Sequence, residues 1–278
     1  MRNQQTSPHE QLEDGWQPTT PVSDTLMRQL VFNIAGEVSA NAEGHGGRVE
    51  RQDNLIAADL GRPAAHYNAC IFTQAFESSG WKQVSPFLDD FFDVQGHSTG
   101  MVVLYSAWPT PDLRGSGWTL IGYPPAHFRT PGGDPPPSPP GVAISQVTTM
   151  EELHDWEQGA IRGYPFQNIS ALPAGSLIAA NLLDDPRHRF WIARIDGEVA
   201  GVSSAFVEHG LCYVPLVATL PFARWRGIGT ALTWRATLAD PSLPAALLSS
   251  DEGRPIYERM GYLPITRWTL WYRMRHGR

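Results

Sequence analysis

The chain has 278 residues, 42% of them hydrophobic, which is enough to bury a substantial core and long enough for two compact units. Its 28 Asp and Glu outweigh 21 Lys and Arg, and a formal net charge of -7 argues against a nucleic-acid binder, because phosphate backbones favour proteins that neutralise them. No stretch reaches the ~20 apolar residues of a membrane span, and the amino terminus has neither an apolar run nor a small-residue cleavage site, so no membrane partner and a cytoplasmic location are expected.

Residues 1–128 carry no motif that assigns them to a family. Within them NACIF, ending at Phe72, reads as an apolar strand, and the small, polar stretch from Glu37 to Asn54 reads as a mobile loop. The segment RTPGGDPPPSPPG, from Arg129 to Gly141, is too rich in proline for helix or paired strand and reads as an extended connector. It divides the chain into 1–128, a linker at 129–141 and a second domain at 142–278.

Beyond the linker, VAISQV is a short alternating strand, and Thr149 with Glu152 three residues on is the capping box of a helix from Met150. A loop containing Tyr164 follows, then a second helical segment around Gly175 to Leu183. RFWIARI and EVAGVSSAF are strands joined at Asp196-Gly197, a pair that tolerates positive φ, and His209-Gly210 repeats the signal before a third strand, CYVPLVAT. A helix with Ile228 and Leu232 turned inward, the strand AALLSS, the helix GRPIYERM and two further strands complete the order. The expected fold is α/β, a mixed, mostly antiparallel central sheet with helices on both faces. Cys70 and Cys212 form no CxxC pair and no Cys/His cluster, so no metal site is expected.

Arg224, Gly227 and Gly229 make the pattern RxxGxG between a strand and a helix. Without Cβ atoms the glycines let the backbone turn sharply and approach a ligand, and the free N–H groups at the helix's positive end suit a pyrophosphate. An ordinary glycine-rich turn explains the pattern as well. The glycine spacing is wrong for a GxGxxG dinucleotide site.

Two longer segments narrow the choice. VATLPFARWRGIGTAL, from Val217 to Leu232, resembles motif A of the GCN5-related N-acetyltransferases, and SSDEGRPIYERMGY, from Ser249 to Tyr262, resembles the motif B that follows it. The resemblance implies that the CoA pyrophosphate binds through residues 226–230, namely Arg226, Gly227, Ile228, Gly229 and Thr230, with Arg224 and Trp225 alongside. It implies that Leu216, Val217, Ala218 and Thr219 pair with pantetheine as an added strand, splayed from AALLSS, with the Val217 amide polarising the thioester carbonyl. Tyr257 falls where the family commonly protonates the departing thiolate, and Glu208, beside His209, lies near where some relatives carry a glutamate base. Tyr164 lies where relatives hold the acceptor, and Ser249, Ser250 and Asp251 are either beside the acyl group or the cap of the next helix. The cosubstrate implied is acetyl-CoA and the acceptor an amine of a small molecule or peptide, on a monomer or homodimer. A non-catalytic acyl-CoA sensor is the alternative.

An internal echo links the halves. Setting Ser106 on Ser250, a shift of 144 residues, aligns Gly117-Trp118 with Gly261-Tyr262 and Trp81 with Trp225. Gln83 and Ser85 then stand at the places of Gly227 and Gly229, and Leu113 at that of Tyr257, which describes a first half unable to bind CoA in the same way.

Overall fold

The computed structural model describes residues 26–75, 80–93, 100–163 and 175–275. The first half runs through helix α1 (Leu26–Gly44), strands β1 (Arg48–Arg51), β2 (Leu55–Asp59) and β3 (Ala69–Phe72), helix α2 (Trp81–Phe92), and strands β4 (Met101–Ser106), β5 (Thr119–Gly122) and β6 (Pro125–Arg129). The second half supplies β7 (Ala143–Gln146), helix α3 (Met150–Gly163), and strands β8 (His188–Ile195), β9 (Glu198–Glu208), β10 (Leu211–Tyr213) and β11 (Val217–Thr219). Helix α4 (Ile228–Thr237), strand β12 (Ala245–Leu248), helix α5 (Arg254–Arg259) and strands β13 (Leu263–Arg267) and β14 (Thr269–Met274) follow.

Local signals act where the residue types dictate. Thr149 Oγ1 accepts from the Glu152 N–H at 3.2 Å while the Glu152 carboxylate accepts from the Thr149 N–H at 3.2 Å, the reciprocal cap that starts α3. Asp196 and Gly197 have φ of 50° and 85°, and His209 and Gly210 of 50° and 70°, which gives both hairpins the turn that matches strand twist.

The strands form two sheets, ordered β1-β2-β3-β4-β14-β5 and β13-β6-β12-β10-β9-β8-β7, with β11 attached to β9. Each sheet holds one strand from the other half. β6 lies between β12 and β13, antiparallel to both, and β14 lies between β4 and β5 in the same way. A shift of 144 residues lays β4 on β12, β5 on β13 and β6 on β14. Even an irregularity repeats: the β14–β5 ladder slips at Ile121 and the β13–β6 ladder at Ile265, two residues related by that shift. Arg129 and Arg273 are likewise related, and each guanidinium covers an indole, Trp234 at 4.7 Å and Trp118 at 5.4 Å.

Helix α1 closes the seam. Its Leu30, Val31, Ile34 and Val38 share one buried cluster with Ala69, Ile71 and Val103 of the first sheet and Phe206, Leu211 and Tyr213 of the second. Two buried asparagines of the helix tie it to the second half: Asn33 Nδ2 donates to the Glu208 carbonyl at 2.8 Å, and Asn41 bridges the Leu177 carbonyl and the Ala179 N–H at 2.6 and 2.9 Å.

Three expectations change. The stretch from Glu37 to Asn54 is not a loop but the end of α1 and strand β1, because its small residues Val38, Ala40 and Ala42 pack in that cluster. The segment after residue 175 forms only a 3-10 turn at Ala180–Leu183, since three of its N–H groups, those of Gly175, Leu177 and Ile178, are drawn to the buried Glu157 carboxylate. CYVPLVAT is interrupted, as described next.

Candidate functional site

Strand β9 carries β10 and then β11 along one edge, and the two do not share a register. Tyr213 pairs with Phe206 but Val217 pairs with Ser203, so β9 advances three residues while its partner advances four. The extra residue makes a bulge around Pro215, which has no N–H to give to a ladder.

On its other side β10 is parallel to β12: the N–H groups of Cys212 and Val214 donate to the carbonyls of Pro244 and Ala246 at 2.9 Å each. After the bulge that pairing ends, and β11 pairs with β9. The Leu216 carbonyl accepts from Ser204 and the Leu220 N–H donates to Ala200, at 3.0 and 2.9 Å, so Leu216, Ala218 and Leu220 turn their main chain toward β9. By alternation Val217 and Thr219 turn theirs toward the gap between β11 and β12. Of the four residues expected to bind pantetheine, these two present main-chain groups to the opening.

The opening leads to the glycine turn. A 3-10 turn at Pro221–Ala223 precedes Arg224, Trp225 has φ of 65°, and Gly227, at φ of 77°, caps α4 without a side-chain hydrogen bond. Ala231 is the first N–H returned to the helix, to Gly227 at 3.0 Å. The amides of Ile228, Gly229 and Thr230 therefore face outward at the positive end of α4. A Cβ at Gly229 would lie 3.2 Å from Thr219 Oγ1, so glycine lets the loop lie against the end of β11. Arg224 and Arg226 are exposed beside it, and Trp225 is fully exposed.

Tyr257 lies on α5, half-buried, with its ring 6.2 Å from the His127 ring and 6.1 Å from that of Tyr262. It folds back over Gly253, where a Cβ would lie 3.5 Å from Tyr257 Oη and 3.3 Å from Ser250 Oγ. The phenol thus sits at the carboxyl end of β12, one bank of the opening. Ser250 Oγ accepts from the Gly253 N–H at 3.1 Å, the capping role, and Asp251 pairs with Arg267 at 3.4 Å on the surface. Ser249 is buried.

Glu208 is not brought to this place. It ends β9, on the hairpin turn and seven residues before the bulge at Pro215, and its carboxylate is held by Arg187 Nη1 at 2.9 Å and lies 3.6 Å from His209 Nε2. Burial lowers the His209 imidazole below its ordinary value, with Glu208 opposing that shift. Tyr164 lies outside the described residues. His127, which no sequence signal places here, stands beside Tyr257 because the exchange of β6 carries it into the second sheet.

An opened strand pair that runs into a glycine turn at a helix amino terminus, with a tyrosine helix on the far bank, defines a domain of the acetyltransferase class. Residues 150–262 match the family model described as Acetyltransferase (GNAT) family, and this part of the chain is a GNAT domain. A GCN5-related N-acetyltransferase from Kribbella flavida is similar in structure at 19% identity, TM-score 0.61, over 86% of this chain and 95% of that one. A GNAT-family protein from Novosphingobium aromaticivorans, described as a putative acetyltransferase, has 17% identity and TM-score 0.55 over 89% and 97%. A GCN5-related N-acetyltransferase from Sphaerobacter thermophilus has 14% identity and TM-score 0.51 over 88% and 93%. These likenesses concern the fold, and they span both halves. No curated protein matches the chain significantly. Among the described residues no helix is long and apolar enough to cross a membrane, and no group of His, Cys, Asp and Glu is placed to hold a metal ion.

Proposed function

We propose that the protein is an acetyl-CoA-dependent N-acetyltransferase that acetylates the amine of a small molecule or peptide by direct attack within a ternary complex. The observation that carries this reading is the opening between β11 and β12, into which Val217 and Thr219 turn their main chain while the outward amides of α4 wait at one end. An acyl-pantetheine arm adds to β11 as a strand, its pyrophosphate on residues 226–230, and the Val217 N–H donates to the thioester carbonyl as negative charge develops there. The neutral amine nitrogen bonds to the carbonyl carbon, the carbon–sulfur bond breaks, and the thiolate takes the Tyr257 phenol proton, while the nitrogen gives up one of its two protons to water and the phenolate regains one from solvent. Phenol and thiolate have similar basicity, near ~10, so this transfer is close to balanced.

The first half, in this reading, is a degenerate copy of the same fold. Gln83 and Ser85 replace the two glycines, and Leu113 replaces the tyrosine. One coenzyme therefore binds per chain.

Calorimetric titration with acetyl-CoA, followed by thiol release in the presence of an amine panel, tests the proposal. One site per chain and amine-dependent thiol release are expected, with Tyr257→Phe slowing turnover at little change in acetyl-CoA affinity. Binding without thiol release from any amine points instead to an acyl-CoA sensor, and no binding at all removes both.

A further inference from the structure

The face of the second sheet beneath α5 holds two buried polar groups that no described residue satisfies. His127 is fully buried; its Nδ1 lies 3.3 Å from the Pro125 carbonyl and its Nε2 has no hydrogen-bond partner. Ser249 Oγ is buried and equally without a partner. His127 stands opposite Leu247 in the β12–β6 ladder, and Ser249 is two residues beyond Leu247, so both side chains project from one face. Leu247 belongs to the cluster against which Tyr257 packs, which places that face under the phenol. A buried polar atom without a partner is destabilising, and two at one spot mark a place built to hold something.

The related position in the first sheet sharpens the contrast. A shift of 144 residues carries His127 to Trp271 and Tyr257 to Leu113, and those two lie together in a hydrophobic cluster, the Trp271 Nε1–H being met by Thr110 Oγ1 at 2.8 Å. The first sheet fills the position with indole and leucine, whereas the second fills it with imidazole and phenol. Packing alone does not require the polar pair.

We propose that His127, carried into the second sheet by a strand of the first half, is a positioning residue for Tyr257. This rests on the acetyltransferase reading above, in which Tyr257 protonates the thiolate. The contact with Pro125 assigns the proton to Nδ1 and leaves Nε2 as a lone-pair acceptor. Burial also lowers the His127 imidazole below its ordinary value, despite the carbonyl of Pro125 and the charge of Glu258, so it is neutral at pH 7. A water molecule set between Nε2, Ser249 Oγ and Tyr257 Oη has the three polar partners such a site needs. It donates to Nε2 and to Oη, which leaves the phenol's own proton directed outward to the sulfur.

The test is a double-mutant cycle on the full chain, with acetyl-CoA and an accepted amine. His127→Phe keeps the ring and removes both nitrogens, and a fall in kcat of roughly 10-fold is expected, with KM for acetyl-CoA and Tm nearly unchanged. His127→Gln, whose amide reaches toward the Nε2 position, recovers part of the rate. In a Tyr257→Phe background, His127→Phe costs nothing more, because the group it positions is gone. Two losses that multiply, an unchanged kcat in His127→Phe, or a kcat loss that tracks a fall in Tm overturns the proposal while leaving Tyr257 in its role. A wild-type chain that releases no thiol, or a Tyr257→Phe variant of full activity, overturns the underlying reading and the pairing with it.

Discussion

Arg275 and Asp59, 216 residues apart, form a bidentate ion pair in which both side chains are fully buried, Nη2 to Oδ1 at 2.5 Å and Nη1 to Oδ2 at 3.1 Å. Two positions earlier, Arg273 Nη1 meets both oxygens of Asp93 at 3.0 Å, again out of solvent. The last strand of the chain is therefore held in the first sheet by charge as well as by its ladder. Hydrophobic packing alone would accept a slip of two residues, whereas paired charges accept one register.

Removing one partner strands the other. Asp59→Asn should cost about 3–5 kcal/mol, read as a lower urea midpoint at pH 7. Burial on its own would raise the Asp59 carboxyl, but hydrogen bonds and charge from Arg275, with the Gly61 N–H and Arg48, outweigh it and hold the group below its ordinary value of 3.8. A depressed carboxyl stabilises the folded state above its unfolded pKa and loses that contribution as pH falls through the folded one. Asp59→Asn should accordingly flatten the acid limb of stability below about pH 4, and a variant as acid-sensitive as the parent would show that the pair does not govern that limb.

Glu37 acts in the opposite window. Burial raises its carboxyl from 4.5 to about 8, only partly offset by a hydrogen bond from Tyr67. Below pH 4.5 it is protonated folded or unfolded; between there and about 8 the unfolded chain ionises first, and stability declines by up to about 1.4 kcal/mol per pH unit. Glu37→Gln should abolish that slope and be the more stable chain at pH 8, as measured by denaturant midpoints from pH 5 to pH 8.5. Parallel curves for the two chains would place the slope elsewhere.

The exchange of β6 and β14 makes each sheet depend on the other half. Cleavage at a protease site inserted near Pro136, in the proline-rich connector, should leave two fragments that co-elute on size exclusion and melt in one transition. Each fragment keeps the strand its partner's sheet needs. Fragments that separate without denaturant would mean that the exchanged strands contribute little.

Sequence alone made much of the second half legible, since its signals are local. The Thr149–Glu152 cap, the two turns at Asp196 and His209, and the glycines at 227 and 229 each declare a conformation within a few residues. Long-range partners declare nothing of the kind. β14 reads as one more strand of its own half, and its ladders with β4 and β5, with the ion pairs of Arg273 and Arg275 to acids of the first half, reveal where it lies. The 144-residue echo, once the strands are known, lays β6 on β14, but an echo aligns sequences without saying which sheet receives each strand. For the same reason His127 escaped notice, while Glu208, close in sequence to the opened strand, is found on the hairpin turn bonded to Arg187. The polar stretch at Glu37 to Asn54 misled because its burial is satisfied by partners more than a hundred residues away, such as Leu177 and Ala179 for Asn41.

Trp225 combines two costs with no return inside the protein. Its φ of 65° is one that a bulky side chain adopts at about 1–3 kcal/mol, and its indole is fully exposed. In the proposed complex Arg224 and Arg226 flank the amides that take the pyrophosphate, and the exposed indole between them is expected to meet the base of the nucleotide. Stacking between an aromatic side chain and a purine is worth about 1–3 kcal/mol. Trp225→Gly should therefore raise stability, because glycine adopts the same φ freely, yet weaken acetyl-CoA binding by roughly 5- to 150-fold. Thermal melts of the free chain and titrations with acetyl-CoA and with an acetyl-pantetheine thioester lacking the nucleotide separate the two effects. The truncated thioester should bind both chains alike, and an equal loss for both ligands would show that the indole acts by shaping the loop and not by stacking on the base.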